Sequence, residues 1–481
     1  MGSTFSGLNT ALTSLYAQRR GLDITGQNIA NASTEGYTRQ RVVMQAQNAN
    51  LNAGIYATTD AVGTGVTVSS VQRLNNSALD QRAYTEHANS AYHNQRAGAY
   101  ALIENVFGEP SDTALQARMQ DMWDGWNAVS SNFDKAAPKS AMLEQAVTVA
   151  TTLNDASQAL DNQFKSTRAG LDTYVGEVNK AAESIAKLNK EIVLATQSGL
   201  QANELQDQRG VQILKLAELA GATATELPNG AINIFIGSSP LVSEFDTRAI
   251  HVAPGSASKM DELAATEVKL QWKDTGTAVA SGGQMGANME LMARGGTLQD
   301  MSSRLDKVAG KLAERVNDMH SAGWSINGDT GIDFFVPVNA GDDITAGNIK
   351  VNSALLNDVN KVAVSSGDPR GVDTPTRILD GKVADGLADL ADAKDGPDSE
   401  YQQLIGDLGV AAQSSMRRRD IQNAVTDQVD ATRDAESGVN LDEEMTNLLT
   451  YQRGYEASSR VLTTIDSMLD QLINRTGLVG R

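Results

Sequence analysis

The 481-residue sequence has no cysteine, which excludes disulfides, thiol nucleophiles and cysteine-ligated zinc. That absence suits a cytoplasmic chain, or a secreted one that does not rely on disulfides. Aromatic residues make up only 5%, which argues against a compact aromatic-rich enzyme core and for extended helical packing. Positive charge is also short: 40 Lys and Arg face 59 Asp and Glu, for a net charge of −19. Such a field repels phosphate backbones and anionic lipid, so neither nucleic acid nor membrane is an expected partner. The one dense basic run, Arg417-Arg418-Arg419, reads as a solvated helix face. No stretch approaches the ~20 apolar residues of a membrane span. The first residues lack the charged and apolar regions of a cleavable signal peptide. Met1-Gly2 with Ser6 fits the myristoylation pattern, which is too short and common to carry an argument.

Catalytic constellations are missing as well. None of His87, His93, His251 and His320 pairs with another at the helical spacing of a metal site, and all four read as structural or surface residues. No HExxH, GxSxG or P-loop pattern occurs. Gly63-Thr64-Gly65 lacks the third glycine and following helix of a dinucleotide fingerprint, and reads as a turn. "NGDTGIDFF" spaces Asn327, Asp329 and Asp333 like calcium ligands. Ile332 stands where that loop needs glycine and Val338 where it needs glutamate, so an Asx-rich turn is expected. Asp442, Glu443 and Glu444 cluster in the first turn of a helix, where the helix dipole accounts for them. No catalytic, cofactor-binding or metal-binding residue is assigned, and no cofactor is expected.

What is present is helical periodicity at both ends. Phe5, Leu8, Leu12, Leu15, Leu22 and Ile29 lie on one stripe, with Arg19 and Gly26 in the intervening slots. This predicts a coiled-coil-like helix of about four heptads. Ala11, Gly21 and Gly26 either allow close approach or weaken it. In "NIANASTEGYTR", Asn28 and Asn31 can end the helix and Gly36 supplies a permissive backbone. The stretches "RQRVVMQ" and "TGVTVSSVQ" that follow read as strands.

Polar, alanine-rich helices are expected near 77–107, 112–132, 139–198 and 202–220. In the third of these, Leu171, Val175, Val178, Ala182, Ile185, Leu188 and Ile192 form one face. Residues 223–285 turn strand-like, with "AINIFIG" and "TEVKLQW" separated by turns such as Asn229-Gly230. Helix resumes near 287–322, and a loop region runs to about 398.

Helices at 399–436 and 440–475 close the chain, broken at Ser437-Gly438. Asn440 with Glu443 makes a capping-box-like start. Leu441, Met445, Leu448, Tyr455, Leu462, Leu469 and Ile473 follow heptad steps, and Val461, Ile465, Met468 and Leu472 make an adjacent stripe. A two-helix coil satisfies one face, so the doubled stripe implies more than one partner. Exposing such side chains costs roughly 1.5–3 kcal/mol each, so the terminal helices must pair with each other or with other subunits, or stay disordered.

Both ends resemble one family. "GLNTALTSLYAQRRGLDITGQNIANASTEGYTRQRV" is similar to the N-terminal signature of bacterial flagellar axial proteins, and "GVNLDEEMTNLLTYQRGYEASSRVLTTIDSMLDQLIN" to their C-terminal helix. Within that rod, hook and hook-associated family, "VNDMHSAGWSINGDTGIDFF", Gly36-Tyr37 and the long helical section from 77 to 220 resemble the hook-associated proteins of the hook–filament junction. A hook or distal rod subunit is the alternative, and a secreted wall-modifying hydrolase a more distant one. That hydrolase would need paired carboxylates within 223–400, where Asp and Glu are scattered.

The resemblance implies a structural flagellar subunit, mainly α with a β-rich insert. Its terminal helices form an inner coiled coil, a long helical rod or bundle fills the middle, and a small β domain faces outward. It implies three domains: 1–45 with 438–481 for assembly, 46–222 with 286–437 as the rod, and 223–285 as the outer β domain. It implies export by the flagellar type III apparatus, termini disordered before assembly, and a place in the extracellular flagellum. The implied partners are copies of the chain in a ring of about eleven, the hook protein, a second junction protein, and an export chaperone at the C-terminal helix. The implied assembly residues are Leu8, Leu12, Leu15, Leu22, Asn28, Ile29, Asn31, Gly36, Tyr37, Arg39, Leu441, Met445, Leu448, Tyr451, Tyr455, Leu462, Met468, Leu469 and Leu472. Tyr37 and Arg39 are expected where neighbouring subunits meet.

Overall fold

A computed structural model describes residues 4–47, 63–370 and 379–475. In chain order it contains α1 (Thr4–Ala30), β1 (Gln40–Gln47), β2 (Gly65–Arg73), α2 (Ser77–Phe107), α3 (Leu115–Ser131), α4 (Ala136–Gln197) and α5 (Asn203–Ala220). Six short strands follow: β3 (Thr223–Glu226), β4 (Ile232–Ile236), β5 (Ser239–Ser243), β6 (Asp246–Thr247), β7 (Ile250–Val252) and β8 (Leu270–Trp272). Then come α6 (Gly283–Leu291), α7 (Thr297–Ala322), β9 (Trp324–Ser325), β10 (Phe335–Pro337), β11 (Ile349–Val351), α8 (Ser353–Asn357), β12 (Ala363–Ser365) and α9 (Lys382–Ala388). Two long helices, α10 (Pro397–Ser437) and α11 (Leu441–Asp470), end the chain, with a π turn at Gln471–Arg475. The fold is mainly helical with small sheets.

The chain forms two compact units. The first lies within Met1–Ala88, Val178–Arg248 and Asn423–Arg481. In it β1 and β2 form an antiparallel ribbon, with Val42 opposite Val71 and a bulge at Val43/Met44. The ribbon packs on α1 through Ile24, Val42 and Val71, flanked by Met44 and Val68. β3 to β6 make a four-stranded antiparallel sheet in sequence order. Its β3–β4 turn uses Gly230 at φ 85°, with the Ala231 N–H bonded to the Asn229 side chain at 3.0 Å. Asn189 of α4 is buried and pins the sheet. It donates to the carbonyls of Ile232 (2.8 Å) and Glu244 (2.7 Å) and accepts from the Ile232 N–H at 3.1 Å.

The second unit lies within Asn89–Glu177 and Ala249–Gln422. Its core rests on α3, which buries Met119, Met122, Trp123, Trp126 and Val129, and on the apolar face of α7, which buries Leu298, Leu305, Val308, Leu312 and Val316. The recurrence at three- and four-residue steps is what makes each helix one-sided. His320 ends that face. Its Nδ1 lies 2.7 Å from the Ile332 carbonyl, and its Nε2 accepts the Ala363 N–H at 3.0 Å. Nδ1 therefore carries the proton and the ring is neutral. Burial holds its pKa down at about 4.

The predicted face of α4 is buried throughout, from Leu171 to Ile192. The single helix expected over 287–322 is two, α6 and α7, parted at Met292–Gly296, where Gly295 takes φ 71°. In "NGDTGIDFF" the Asp329 carboxylate accepts from Ser325 Oγ at 3.2 Å within its own loop, and the Asp329 N–H returns to Ser325 Oγ at 3.0 Å.

Candidate assembly site at the terminal helices

Helices α1 and α11 pack antiparallel along their length. Gly7 lies against Ile465, Ser14 hydrogen-bonds Ser458 (2.8 Å), Gly21 lies under the Tyr451 ring, and Asn28 bonds Glu444 (3.0 Å). Partner numbers fall from 465 to 444 as those of α1 rise from 7 to 28, so the register is continuous. On α1 the seam runs through Gly7, Ala11, Ser14, Gln18, Gly21, Thr25 and Asn28, in alternating four- and three-residue steps. On α11 it runs through Glu444, Leu448, Tyr451, Tyr455, Ser458, Leu462, Ile465 and Leu469, with the same steps.

The α1 seam is one residue before the predicted leucine stripe. One residue turns a helix by about 100°, so small and polar side chains of α1 meet the large ones of α11. Leu8, Leu12, Leu15, Leu22 and Ile29 stand beside the contact, half-buried. Gly21 shows why the seam must be small: a Cβ there would lie 2.7 Å from the Tyr451 ring. Gly26, by contrast, has open space around it.

On α11, Leu448, Tyr451, Tyr455, Leu462 and Leu469 are half-buried against α1. Leu441 (51% exposed) and Met445 (52%) lie off the seam, as do Met468 (54%) and Leu472 (54%). The second stripe predicted from sequence is therefore divided: Ile465 enters the seam, while Val461, Met468 and Leu472 face outward.

A buried polar knot closes one end of the seam. Asn28, 1% exposed, fills its full bonding capacity. Its Oδ1 accepts from the Tyr37 hydroxyl (2.8 Å) and the Gln40 N–H (3.0 Å), and its Nδ2 donates to the Gln40 carbonyl (2.9 Å) and Glu444 Oε2 (3.0 Å). It thus pairs with both backbone groups of the first residue of β1, as a neighbouring strand would. Glu444, 2% exposed, also accepts from Arg39 Nε at 2.8 Å, and Arg39 Nη1 reaches Glu443 at 2.7 Å. Burial weakens the Arg39 charge, but Glu443 and Glu444 outweigh it and raise its pKa above the ordinary arginine value. Burial, with Asp207, Glu204 and Glu444 nearby, pushes the Tyr37 hydroxyl up to about 12, so it stays a donor.

The turn between α1 and β1 is tied down on its other sides. The Thr38 N–H donates to Asp207 Oδ2 at 3.2 Å, and Arg73 bonds both Asp207 (2.6 Å) and Thr38 Oγ1 (3.0 Å). Desolvation raises the Asp207 pKa above the usual carboxylate value against the pull of Arg73. The Arg39 N–H donates to the Ser437 carbonyl at 2.9 Å, joining the turn to the end of α10. Gly36 takes φ 74°, and a Cβ there would lie 2.3 Å from Val211.

Three local readings of the sequence change. Asn28 lies inside α1 and bonds across the fold; Asn31 makes the local tie, donating to the Gln27 carbonyl at 3.0 Å. Asn440 caps α11 by accepting from the N–H groups of Asp442 and Glu443, but the Glu443 side chain turns to Arg39 and leaves the box half made. Glu444 is a buried ion-pair partner and not a mere dipole charge. The polar groups of Tyr37 and Arg39 are occupied within the chain.

Sequence reasoning missed Glu444, Gln40 and Asp207. One signal for Glu444 was legible: it precedes Tyr451, Ser458 and Ile465 by steps of seven, a carboxylate in an otherwise inward-facing row.

Residues 100–335 match the family model of the flagellar hook-associated protein FlgK helical domain. Residues 434–475 match the C-terminal model of the flagellar basal body rod FlgEFG proteins, and residues 8–38 match the flagella basal body rod protein model. The chain is 30% identical to flagellar hook-associated protein 1 of Bacillus subtilis, an alignment covering all of both chains. The chain belongs to the flagellar hook-associated protein 1 family. Identity to the Escherichia coli member is 25%, over 97% of this chain and 99% of that one. The fold is shared with the flagellar hook junction protein FlgK from Burkholderia pseudomallei, at TM-score 0.59 and 15% identity, over 74% of this chain and 99% of that one.

Hook-associated protein 1 family members are structural parts of the flagellum, not enzymes, and this chain is one of them. The rod-family matches fall on α1 with its turn and on α11, the two elements joined by the seam and the Asn28 knot. No described helix is long and apolar enough to cross a membrane.

Proposed function

We infer that this chain builds the junction between hook and filament, and that its terminal helices are the surfaces by which copies join. The observation that carries this reading is the apolar surface left over once α1 and α11 have paired. Leu441, Met445, Val461 and Met468 are each at least half exposed, and the α1 leucine stripe is only half covered. At ~25 cal/mol per Å² of apolar surface, such flanks favour burial against further helices. The small-residue seam and the buried knot make α1 and α11 one rigid element that can present those flanks.

In this reading the paired helices form the inner layer of a ring of about eleven subunits, closed by repetition of one interface. The assembly residues are the leucine stripe, the outer side chains of α11 and the turn from Asn28 to Arg39. The turn acts by holding α1, β1 and α11 in register. The partners are copies of the chain, the hook protein on one side and a second junction protein on the other. Export proceeds through the flagellar type III apparatus, with a chaperone covering the C-terminal helix beforehand. The assembly domain is 1–45 with 438–481, the rod is 46–222 with 286–437, and 223–285 faces outward.

Deleting residues 440–481 tests this. The shortened chain should be absent from the hook–filament boundary by immunogold microscopy. Its normal incorporation there would show that α11 does not drive assembly.

A further inference from the structure

Three helices of the first unit meet at His87. It stands on α2, with its side chain 21% exposed. Nδ1 is 3.1 Å from Glu218 Oε1 on α5, and Nε2 is 3.1 and 3.0 Å from the two oxygens of Asp430 on α10. An ionised carboxylate only accepts hydrogen bonds. Both contacts are therefore made by the imidazolium, which donates from each nitrogen. A neutral ring has one N–H and turns its other lone pair toward a carboxylate. The two carboxylates lie on opposite edges of the ring, so they do not converge on a point where a cation could replace it.

The surroundings favour the charged form. His87 borders a cavity of about 560 Å³, whose lining holds three arginines against six carboxylates. Each arginine is bonded elsewhere. Arg73 of β2 pairs with Asp207 of α5, and Arg433 of α10 pairs with Asp80 of α2. Arg209 of α5 donates to Asn189 Oδ1 (2.9 Å) and the Gly230 carbonyl (2.8 Å). The remaining carboxylates on the wall are Glu35, Glu226 of β3, and Asp430 and Asp434 of α10; Glu86, next to His87 on α2, pairs loosely with Arg82 at 3.9 Å. Tyr84 of α2 also faces the cavity and is uncharged, its hydroxyl pushed up to about 12 by burial.

We propose that His87 is a proton-operated clamp that ties α2 to both α5 and α10 when protonated and, when neutral, keeps its N–H on Glu218 of α5 and releases Asp430 of α10. The hydrogen bond donated to Glu218 raises its pKa, burial opposes this, and Asp430 adds to the rise, so the folded value lies above 6.5. The stabilisation is fully present below pH 6.5 and is lost as pH rises through that folded value. The part released matters for the terminal helices. The last turns of α10 carry Arg433, paired with Asp80, and Glu436, bonded to Asn76 at 3.0 Å. They end at the Ser437 carbonyl, which receives the Arg39 N–H. Alkaline conditions therefore loosen the base on which the Arg39–Glu444 knot is built.

The test uses the full chain. The His87 ring is titrated by NMR, and amide exchange of residues 426–437, corrected for intrinsic rate, is compared between pH 5.5 and 8.5. Losing one charged hydrogen bond should lower protection about tenfold in the wild type, and His87→Gln should show no such change. Asp430→Asn should bring the His87 midpoint down, which keeps the test valid if His87→Gln does not fold. A His87 midpoint at or below 6.5, the same pH dependence in both proteins, or a midpoint indifferent to Asp430→Asn would overturn the proposal.

Discussion

Replacing Arg39 by methionine isolates the buried knot. The substitution keeps the aliphatic stem and removes both donors to the carboxylates. Glu444 would then keep one bond, from Asn28 Nδ2 at 3.0 Å, while remaining 2% exposed. Removing one partner of a fully buried ion pair costs about 3–5 kcal/mol. The Arg39 side chain is itself 18% exposed, so water relieves part of that and about 2–3 kcal/mol should remain. Loss of the contact to Glu443, whose side chain is 58% exposed, adds at most about 1 kcal/mol. A second change, Glu444→Gln, removes the stranded charge and keeps an acceptor for Asn28. The double variant should recover about 1–2 kcal/mol. Because the chain has two units, a global melt does not report this site alone. Native-state amide exchange of residues 24–30, 40–43 and 444–451 does. An opening equilibrium raised about thirtyfold corresponds to ~2 kcal/mol. A change under about threefold, or a double variant no better than the single one, would refute the reasoning.

Gly21→Ala should weaken the α1–α11 pair by about 1–2 kcal/mol, because overpacking at the Tyr451 ring outweighs the gain in helix propensity; exchange along α1 measures it, and Tyr451→Ala should suppress it. His320 should make the second unit acid-sensitive. Its folded pKa of about 4 lies below the unfolded 6.5, so about 3 kcal/mol is lost as pH falls from 6.5 through 4. His320→Gln should flatten that profile when stability is followed by near-ultraviolet signals of Trp126, which packs edge-on to His320. Tyr37→Ala should leave the helical content of the isolated chain unchanged and reduce its incorporation into flagella, since only the bond to Asn28 and local packing are lost. Normal filament attachment in that variant would mean that the turn does not set the register.

Much of the helical frame was legible because its signal is local. The α4 face from Leu171 to Ile192 and the Asn440 cap need only neighbouring residues to be recognised. The seam between α1 and α11 was legible only as a period. Counting large apolar residues picked Leu8, Leu12, Leu15 and Leu22, whereas close antiparallel packing selects the smaller neighbours one step earlier, Gly7, Ala11, Ser14 and Gly21. Beyond the seven-residue row that places Glu444 inward, the pairing within the knot was illegible for a different reason. Asn28 and Arg39 reach Glu444 across 416 and 405 residues, and each has a plausible local role by itself. A period can place Glu444 on the inward row but does not name its partners; those show only when the chain ends are brought together.

Electron microscopy of cells lacking this chain tests the central claim most directly. An account in which the chain joins hook to filament predicts complete hooks without filaments, with filaments restored by the full-length chain. Loss of the hook itself would contradict it and place the chain below the junction, among hook or distal rod subunits.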